Sequence, residues 1–181
     1  VIVVGGEPEG VAAAVSAARN GASTLLVEKR DGLGGLLTYG MLNFIDVNYD
    51  KDGKLANRGI FLEFYKQVGE IAFDVKHAKE VFMEMVKAEE NITLLLNTYF
   101  KAPIMASDGI TIRGIEVFKN GKTHRYYGKR VIDATQDADV AATAGVPYTS
   151  GMKDIGMPGR FMAATLMIHL KNVDWDKVQE V

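Results

Sequence analysis

The sequence predicts an α/β fold in which a parallel sheet flanked by helices carries an antiparallel β-meander insertion. Three observations predict it. The apolar runs Val1 to Val4, Leu25 to Val27 and Ile92 to Leu96 have the near-continuous apolar character of parallel strands buried on both faces. Between them lie stretches with helical spacing of apolar residues: Gly10 to Gly21, then Ile60, Phe61, Phe64, Tyr65 and Val68, then Val81, Phe82, Met85 and Val86. From Lys101 to Lys129 the texture alternates between apolar and polar, punctuated by Ser107-Asp-Gly109 and Asn120-Gly121, which is the turn chemistry of antiparallel hairpins.

The chain opens with Val1-Ile-Val-Val-Gly-Gly-Glu-Pro-Glu-Gly10. Gly5 permits the tight turn that aims a helix N-terminus at a phosphate, and Pro8 suits a first helical turn, where no amide donor is needed. Ala12, Ala13, Ala14, Ala17 and Ala18 let that helix lie close to the sheet, and Gly21 is expected to cap its C-terminus. Leu25, Leu26 and Val27 supply the second strand. Glu28, at its end, stands where an acid accepts hydrogen bonds from two adenosine ribose hydroxyls and repels a 2′-phosphate. This is the outline of a Rossmann-like, dinucleotide-binding βαβ unit. The G-x-G-x-x-G pattern would place glycine at residues 5, 7 and 10, but residue 7 is Glu. A carboxylate beside a pyrophosphate costs Coulomb energy unless it points away, whereas a helix dipole favours an acid by roughly 0.3–1 kcal/mol. Glu7 is therefore expected to face solvent or to cap its helix.

Lys29 to Gly40 reads as a glycine-rich loop with backbone amides available to a ligand. Asn48-Tyr-Asp-Lys-Asp-Gly53 matches the first half of an EF-hand-type calcium loop, but Gly59 stands where the bidentate Glu is required. It reads as a polar surface turn. The Met and aromatic stripes of the next two helices read as core packing. Ile92 to Leu96 forms the third strand, with Asn97-Thr-Tyr-Phe100 continuing from its end. The meander strands are expected at Ile104 to Ala106, Thr111 to Phe118 and Thr123 to Tyr127. Val131-Ile-Asp-Ala-Thr135 returns to the parallel sheet, and a helix begins near Val140, with Asp137 or Asp139 at its positive end.

A length of 181 residues and 48 % hydrophobic content suit a well-buried core. The net charge of −2, with Lys and Arg dispersed, gives no nucleic-acid footprint. No run of about 20 apolar residues marks a transmembrane helix. Without cysteine, these residues can form no disulfide framework, Cys-based zinc site, iron–sulfur cluster or redox-active dithiol. No metal site is expected, and the cytoplasm is the default compartment. Val1 already stands inside a strand, and the elements after Phe161 lack closing partners. A fragment of a longer protein is expected, with residues 1–146 as the nucleotide-binding domain (insertion about 101–129) and 147–181 as the start of a truncated substrate domain.

Four ordered motifs carry a family resemblance: the opening Val-Ile-Val-Val-Gly-Gly-x-Pro-x-Gly-Val-Ala-Ala-Ala, Leu-Leu-Val-Glu-Lys at 25 to 29, Leu-Gly-Gly-Leu-Leu-Thr at 33 to 38, and Val-Ile-Asp-Ala-Thr-x-Asp-Ala-Asp-Val-Ala-Ala at 131 to 142. Together they resemble the bacterial FAD-dependent oxidoreductase family of the glutathione-reductase-like FAD/NAD(P)-binding superfamily. The resemblance implies FAD as cofactor, with Gly5, Gly6, Glu7, Pro8 and Gly10 around the pyrophosphate and Glu28 on the adenosine ribose. Lys29 and Arg30 would lie over the adenosine side. Gly34, Gly35, Leu36 and Thr38 would line the way to the ribityl chain and flavin, backbone atoms of Phe100 would meet the adenine edge, and Ala134 and Thr135 would close the pocket. Gln136 replaces the glycine usual after Ala-Thr.

The activity this implies is flavin-mediated hydride or electron transfer on a small-molecule substrate, with no nucleic-acid or membrane partner. An NAD-dependent dehydrogenase, a non-catalytic or RNA-associated flavoprotein and a fragment lacking bound cofactor are the alternatives. No side chain is an evident acid or base. His77, His124 and His169 are isolated in sequence; His169 is the one to test, ahead of Asp46, Tyr39 and Arg160.

Overall fold

A computed structural model describes residues 1–69 and 71–178. The chain forms two compact units, Val1–Thr149 and Ser150–Val181. In the first, strand β1 (Ile2–Val4) pairs in parallel with β2 (Thr24–Val27) on one side and β7 (Val131–Asp133) on the other, and β2 pairs in parallel with β3 (Ile92–Leu95). The sheet order is β3-β2-β1-β7.

Period-2 alternation explains why β1 is apolar throughout. Val3, with Leu26 of β2, enters a core built with the helices, whereas Ile2, Val4 and Val27 enter a second core on the opposite face. The helical layer comprises α1 (Pro8–Arg19), α3 (Ile60–Val68) and α4 (Val75–Lys87), with Val11, Ala14, Val15, Phe64 and Phe82 among its buried residues. Phe64 and Phe82 stack at 4.2 Å between ring centroids. The opposite layer is an antiparallel sheet of β4 (Tyr99–Met105), β5 (Ile112–Lys119) and β6 (Lys122–Tyr127), in that order. Ile115 and Val117, fully buried, press against the parallel sheet. Its β5–β6 turn has positive φ at both Asn120 (50°) and Gly121 (76°), as an Asn-Gly hairpin requires.

Helix α1 does begin at Pro8 and does close on Gly21, whose φ of 80° lets the Gly21 and Ala22 amides donate to the carbonyls of Ala18 and Ala17. Other boundaries differ from expectation. Asn97 to Phe100 does not continue the third strand. The chain turns at Asn97 (φ 51°), where the Asn97 and Thr98 amides donate to the carbonyls of Arg30 and Glu28, and Tyr99 opens β4. Phe100 thus belongs to the meander, paired with Val117. The 29–40 loop contains a single helical turn, α2 (Gly35–Thr38), and α5 spans Asp139–Thr143. Asn48 to Gly53 is a surface turn in which Asp50 accepts from the amides of Asp52 and Lys54. Among the described residues no cluster of three or more His, Cys, Asp or Glu could hold a metal, and no helix is long and apolar enough to cross a membrane.

Asp74 caps α4, its Oδ1 accepting from the amides of Lys76 and His77 at 2.8 and 2.9 Å. The His77 and Lys76 amides hold this carboxyl below the usual carboxylate range. A depressed folded pKa contributes stability above the unfolded value, and that contribution is lost as pH falls through the folded one. Asp74→Ala is expected to lower the melting temperature by about 3 °C near neutrality. The difference should shrink as pH falls below about 4, where the unfolded carboxyl protonates first, and vanish once the folded one protonates too, as paired melts at descending pH would show.

In the second unit the described residues form a short 3-10 turn (Lys153–Ile155), a Met152–Met157 bridge and one helical turn, α6 (Trp175–Val178). Residues 161–170 contain neither helix nor strand, and Phe161, Met162, Leu166 and Leu170 are exposed.

Candidate functional site

Strands β2 and β3 extend the sheet to one side of β1 and β7 to the other, so the connectivity reverses at the β1/β7 boundary. Crevices at such points, beyond the carboxyl ends of parallel strands, are where open α/β sheets bind ligands. A cleft of about 290 Å³ lies there, its lining including Gly5, Glu7, Glu28, Lys29, Phe100, Thr135 and Gln136. Its size is at the low end of small-molecule sites, closer to a nucleoside than to a whole dinucleotide.

Two glycines make the crevice possible. Gly5 has φ 107°, and a Cβ there would collide with the Ala134 carbonyl; a Cβ on Gly10 would collide with the carbonyl of Gly5. Side chains at either place would push β1, α1 and β7 apart. The amides of Glu7, Glu9 and Gly10 meet no acceptor among the described residues, which leaves donors at the start of a 12-residue helix. A phosphate group fits that cradle.

Glu28 is buried. Its Oε2 accepts from the Gly6 amide at 2.6 Å, and its Oε1 accepts from the Arg30 amide at 2.8 Å and the Arg30 guanidinium at 3.3 Å. The carboxylate both organises the first glycine turn and keeps acceptor capacity beside the cleft, since two carboxylate oxygens offer about four lone-pair sites.

Glu7 departs from expectation. It neither faces solvent nor caps α1: it is 3 % exposed and makes no capping hydrogen bond. Its Oε1 receives Arg30 Nη1 at 2.7 Å and its Oε2 receives the Leu36 amide at 3.0 Å. Burial of a carboxylate is tolerated when charge and hydrogen-bond partners go with it. The conformation is matched to the facing backbone, because a Cβ on Gly35 would overlap the Glu7 carboxylate. Burial works against the Arg30 charge, but hydrogen bonding and attraction to Glu7, then Glu28, outweigh it and raise its pKa above the ordinary guanidinium value.

The loop after β2 is less open than expected. The Gly34 amide donates to the Gly6 carbonyl at 2.8 Å, the Leu36 amide is held by Glu7, and the buried Thr38 hydroxyl donates to the Leu33 carbonyl at 2.8 Å. Tyr39, far from a free catalytic phenol, donates to Asp31 and lies beneath two cations, Lys79 at 4.3 Å and Arg30 at 5.5 Å from its ring centre. Burial and the Asp31 contact raise its pKa.

Of the residues expected at the cofactor, Gly5, Glu7, Glu28, Lys29, Phe100 and Thr135 reach the cleft wall. Gly6, Pro8 and Gly10 form the adjoining turn, and the Ala134 carbonyl abuts Gly5. Arg30 is turned to the two glutamates, and Gly34, Gly35, Leu36 and Thr38 form the second glycine loop beyond Glu7. Neither His77 nor His124 lines the cleft. His77 instead contacts the Gln67 carbonyl at 2.9 Å, His124 is exposed on β6 and Asp46 is exposed outside the cleft, while Arg160 and His169 are exposed residues of the second unit.

Sequence reasoning missed Asp133. Its Oδ1 accepts from the Thr135 amide and hydroxyl at 3.0 and 2.7 Å, and its Oδ2 from the Ala141 amide at 2.8 Å, so one side chain shapes the whole β7–α5 turn. The Asp-x-Thr spacing is an Asx-type turn signature and could have shown it. Gln136 reaches to Glu9, at 2.6 Å, tying that turn to the first turn of α1.

The family described as FAD dependent oxidoreductase matches residues 1–181. No curated protein sequence matches the chain. Among solved structures, the THI4 protein of Thermovibrio ammonificans superposes with a TM-score of 0.57 at 20 % identity, over 78 % of this chain and 59 % of that one. A 3-ketosteroid-delta4-(5alpha)-dehydrogenase from Rhodococcus jostii RHA1 gives 0.52 at 15 % identity, over 73 % and 44 %. A geranylgeranyl bacteriochlorophyll reductase-like protein of Thermoplasma acidophilum gives 0.50 at 22 %, over 80 % and 41 %. At these identities the likeness is one of fold, and the chain spans between about two-fifths and three-fifths of those proteins' lengths.

Proposed function

Because the chain belongs to the FAD dependent oxidoreductase family, we propose that it supplies the adenosine and pyrophosphate seat of a flavoenzyme that oxidises or reduces a small molecule. The carrying observation is the cleft at the β1/β7 boundary, with the Gly5–Gly10 turn on one side and buried Glu28 on the other. FAD supplies the hydride- or electron-transfer chemistry when bound. The chain's own part is to bind and orient. The Glu7, Glu9 and Gly10 amides would donate to phosphate oxygens, Glu28 would accept from the ribose hydroxyls, and Lys29, Tyr99 and Phe100 form the wall on the adenosine side. Asp133 and the Gln136–Glu9 contact fix the turn opposite.

The intact protein is expected to purify yellow and to release FAD on denaturation, identified by chromatography and mass. A colourless protein that binds NAD tightly instead would overturn the reading.

A further inference from the structure

The two glycine loops that frame the site are joined by one side chain. Glu7 stands at the one position of the first loop where the pattern's glycine is missing, and its buried carboxylate spans to the second loop, held by Arg30 at 2.7 Å and by the Leu36 amide at 3.0 Å. Gly35 is shaped around it, since any Cβ there would overlap the carboxylate.

Arg30 has partners besides Glu7. It is also 3.3 Å from Glu28, and its guanidinium lies over the Tyr39 ring, which Asp31 and Lys79 hold in turn. Its side chain keeps 31 % exposure. If Glu7 swung away, a fixed guanidinium and a free Leu36 amide would face the gap, both donors suited to a phosphate oxygen.

We infer that Glu7 is an internal stand-in for phosphate: its carboxylate fills the space between the two glycine loops, and an incoming dinucleotide displaces it and takes over Arg30 and the Leu36 amide. The inference rests on the reading that this site binds FAD. Two buried carboxylates already share one guanidinium here, so a pyrophosphate added beside an undisplaced Glu7 would meet concentrated negative charge. Exchange removes that conflict. It also keeps the apoprotein's glycine loops in the form the cofactor needs.

The test uses the intact protein stripped of flavin, with Glu7→Gln, Glu7→Gly and Arg30→Met compared by thermal melting and by FAD titration. Glu7→Gln keeps the shape and an acceptor for the Leu36 amide but removes the charge. Both Glu7 variants are expected to melt below the parent without FAD, to recover part or all of that deficit with saturating FAD, and to bind FAD at least about tenfold more tightly. Arg30→Met should weaken FAD binding whether residue 7 is Glu or Gln. A Glu7 that is only a strut would lower both melting temperatures and leave FAD affinity equal or weaker, which would overturn the inference. If the parent and every variant ignore FAD, the FAD reading itself falls, and the inference with it.

Discussion

Gly5→Ala is expected to lower stability by about 4 kcal/mol, the sum of a backbone forced into a disfavoured region and a methyl forced into packed backbone, and to abolish FAD retention. Gly5 holds φ 107°, where L side chains are rare. The methyl would also point into the Ala134 carbonyl, with the Thr135 amide nitrogen 3.0 Å away. These atoms cannot yield cheaply. The Ala134 amide is bonded to the Val4 carbonyl at 2.8 Å, and Val4 is in register with Asp133. Separating them opens the crevice in which the cofactor's phosphates are proposed to lie. The melting temperature should fall by about 10 °C. Gly21→Ala is the matched control: φ is 80° but a Cβ there meets nothing within 4 Å, so only the strain of about 1–2 kcal/mol is expected. FAD should stay bound in that variant. Equal losses in the two variants would mean that the collision beside Ala134 is relieved elsewhere.

The contrast between these glycines shows what was legible in the sequence. The strand, turn and helix from Val1 to Gly21 follow from local rules: an apolar run, a glycine where φ must be positive, a proline in a first helical turn. So do the Asn120-Gly121 hairpin and the two helices packed through Phe64 and Phe82. Glu7 could not be read this way. Its partners, Arg30 and Leu36, lie 23 and 29 residues along the chain, and a rule weighing only its own helix leaves solvent or a cap as the choices. Phe100 fails for a related reason. Asn97-Thr98 breaks the apolar run with a residue type that accepts positive φ, but the turn there is fixed by distant partners, the carbonyls of Arg30 and Glu28. The site was legible where it is made of backbone conformation. It was opaque where long-range side-chain pairing decides.

Glu28 belongs to both categories, and its replacement separates them. Glu28→Ala removes the acceptors of the Gly6 and Arg30 amides, and an orphaned buried donor costs about 1–3 kcal/mol. The apoprotein should therefore melt lower. If the same carboxylate also holds the adenosine ribose, FAD should lose a further charge-assisted hydrogen bond of about 1.5–3 kcal/mol, a weakening of about tenfold to 150-fold. The structural loss alone could loosen the site, so affinity by itself does not identify the contact. A ligand without ribose hydroxyls does. ADP and its 2′,3′-dideoxy analogue should bind the parent apoprotein with clearly different affinities and bind Glu28→Ala almost alike, because the hydroxyls then have no carboxylate to meet. A preference for ADP that survives undiminished in the variant would confine Glu28 to its bonds with Gly6 and Arg30. The ribose would then have to find its acceptor elsewhere on the cleft wall.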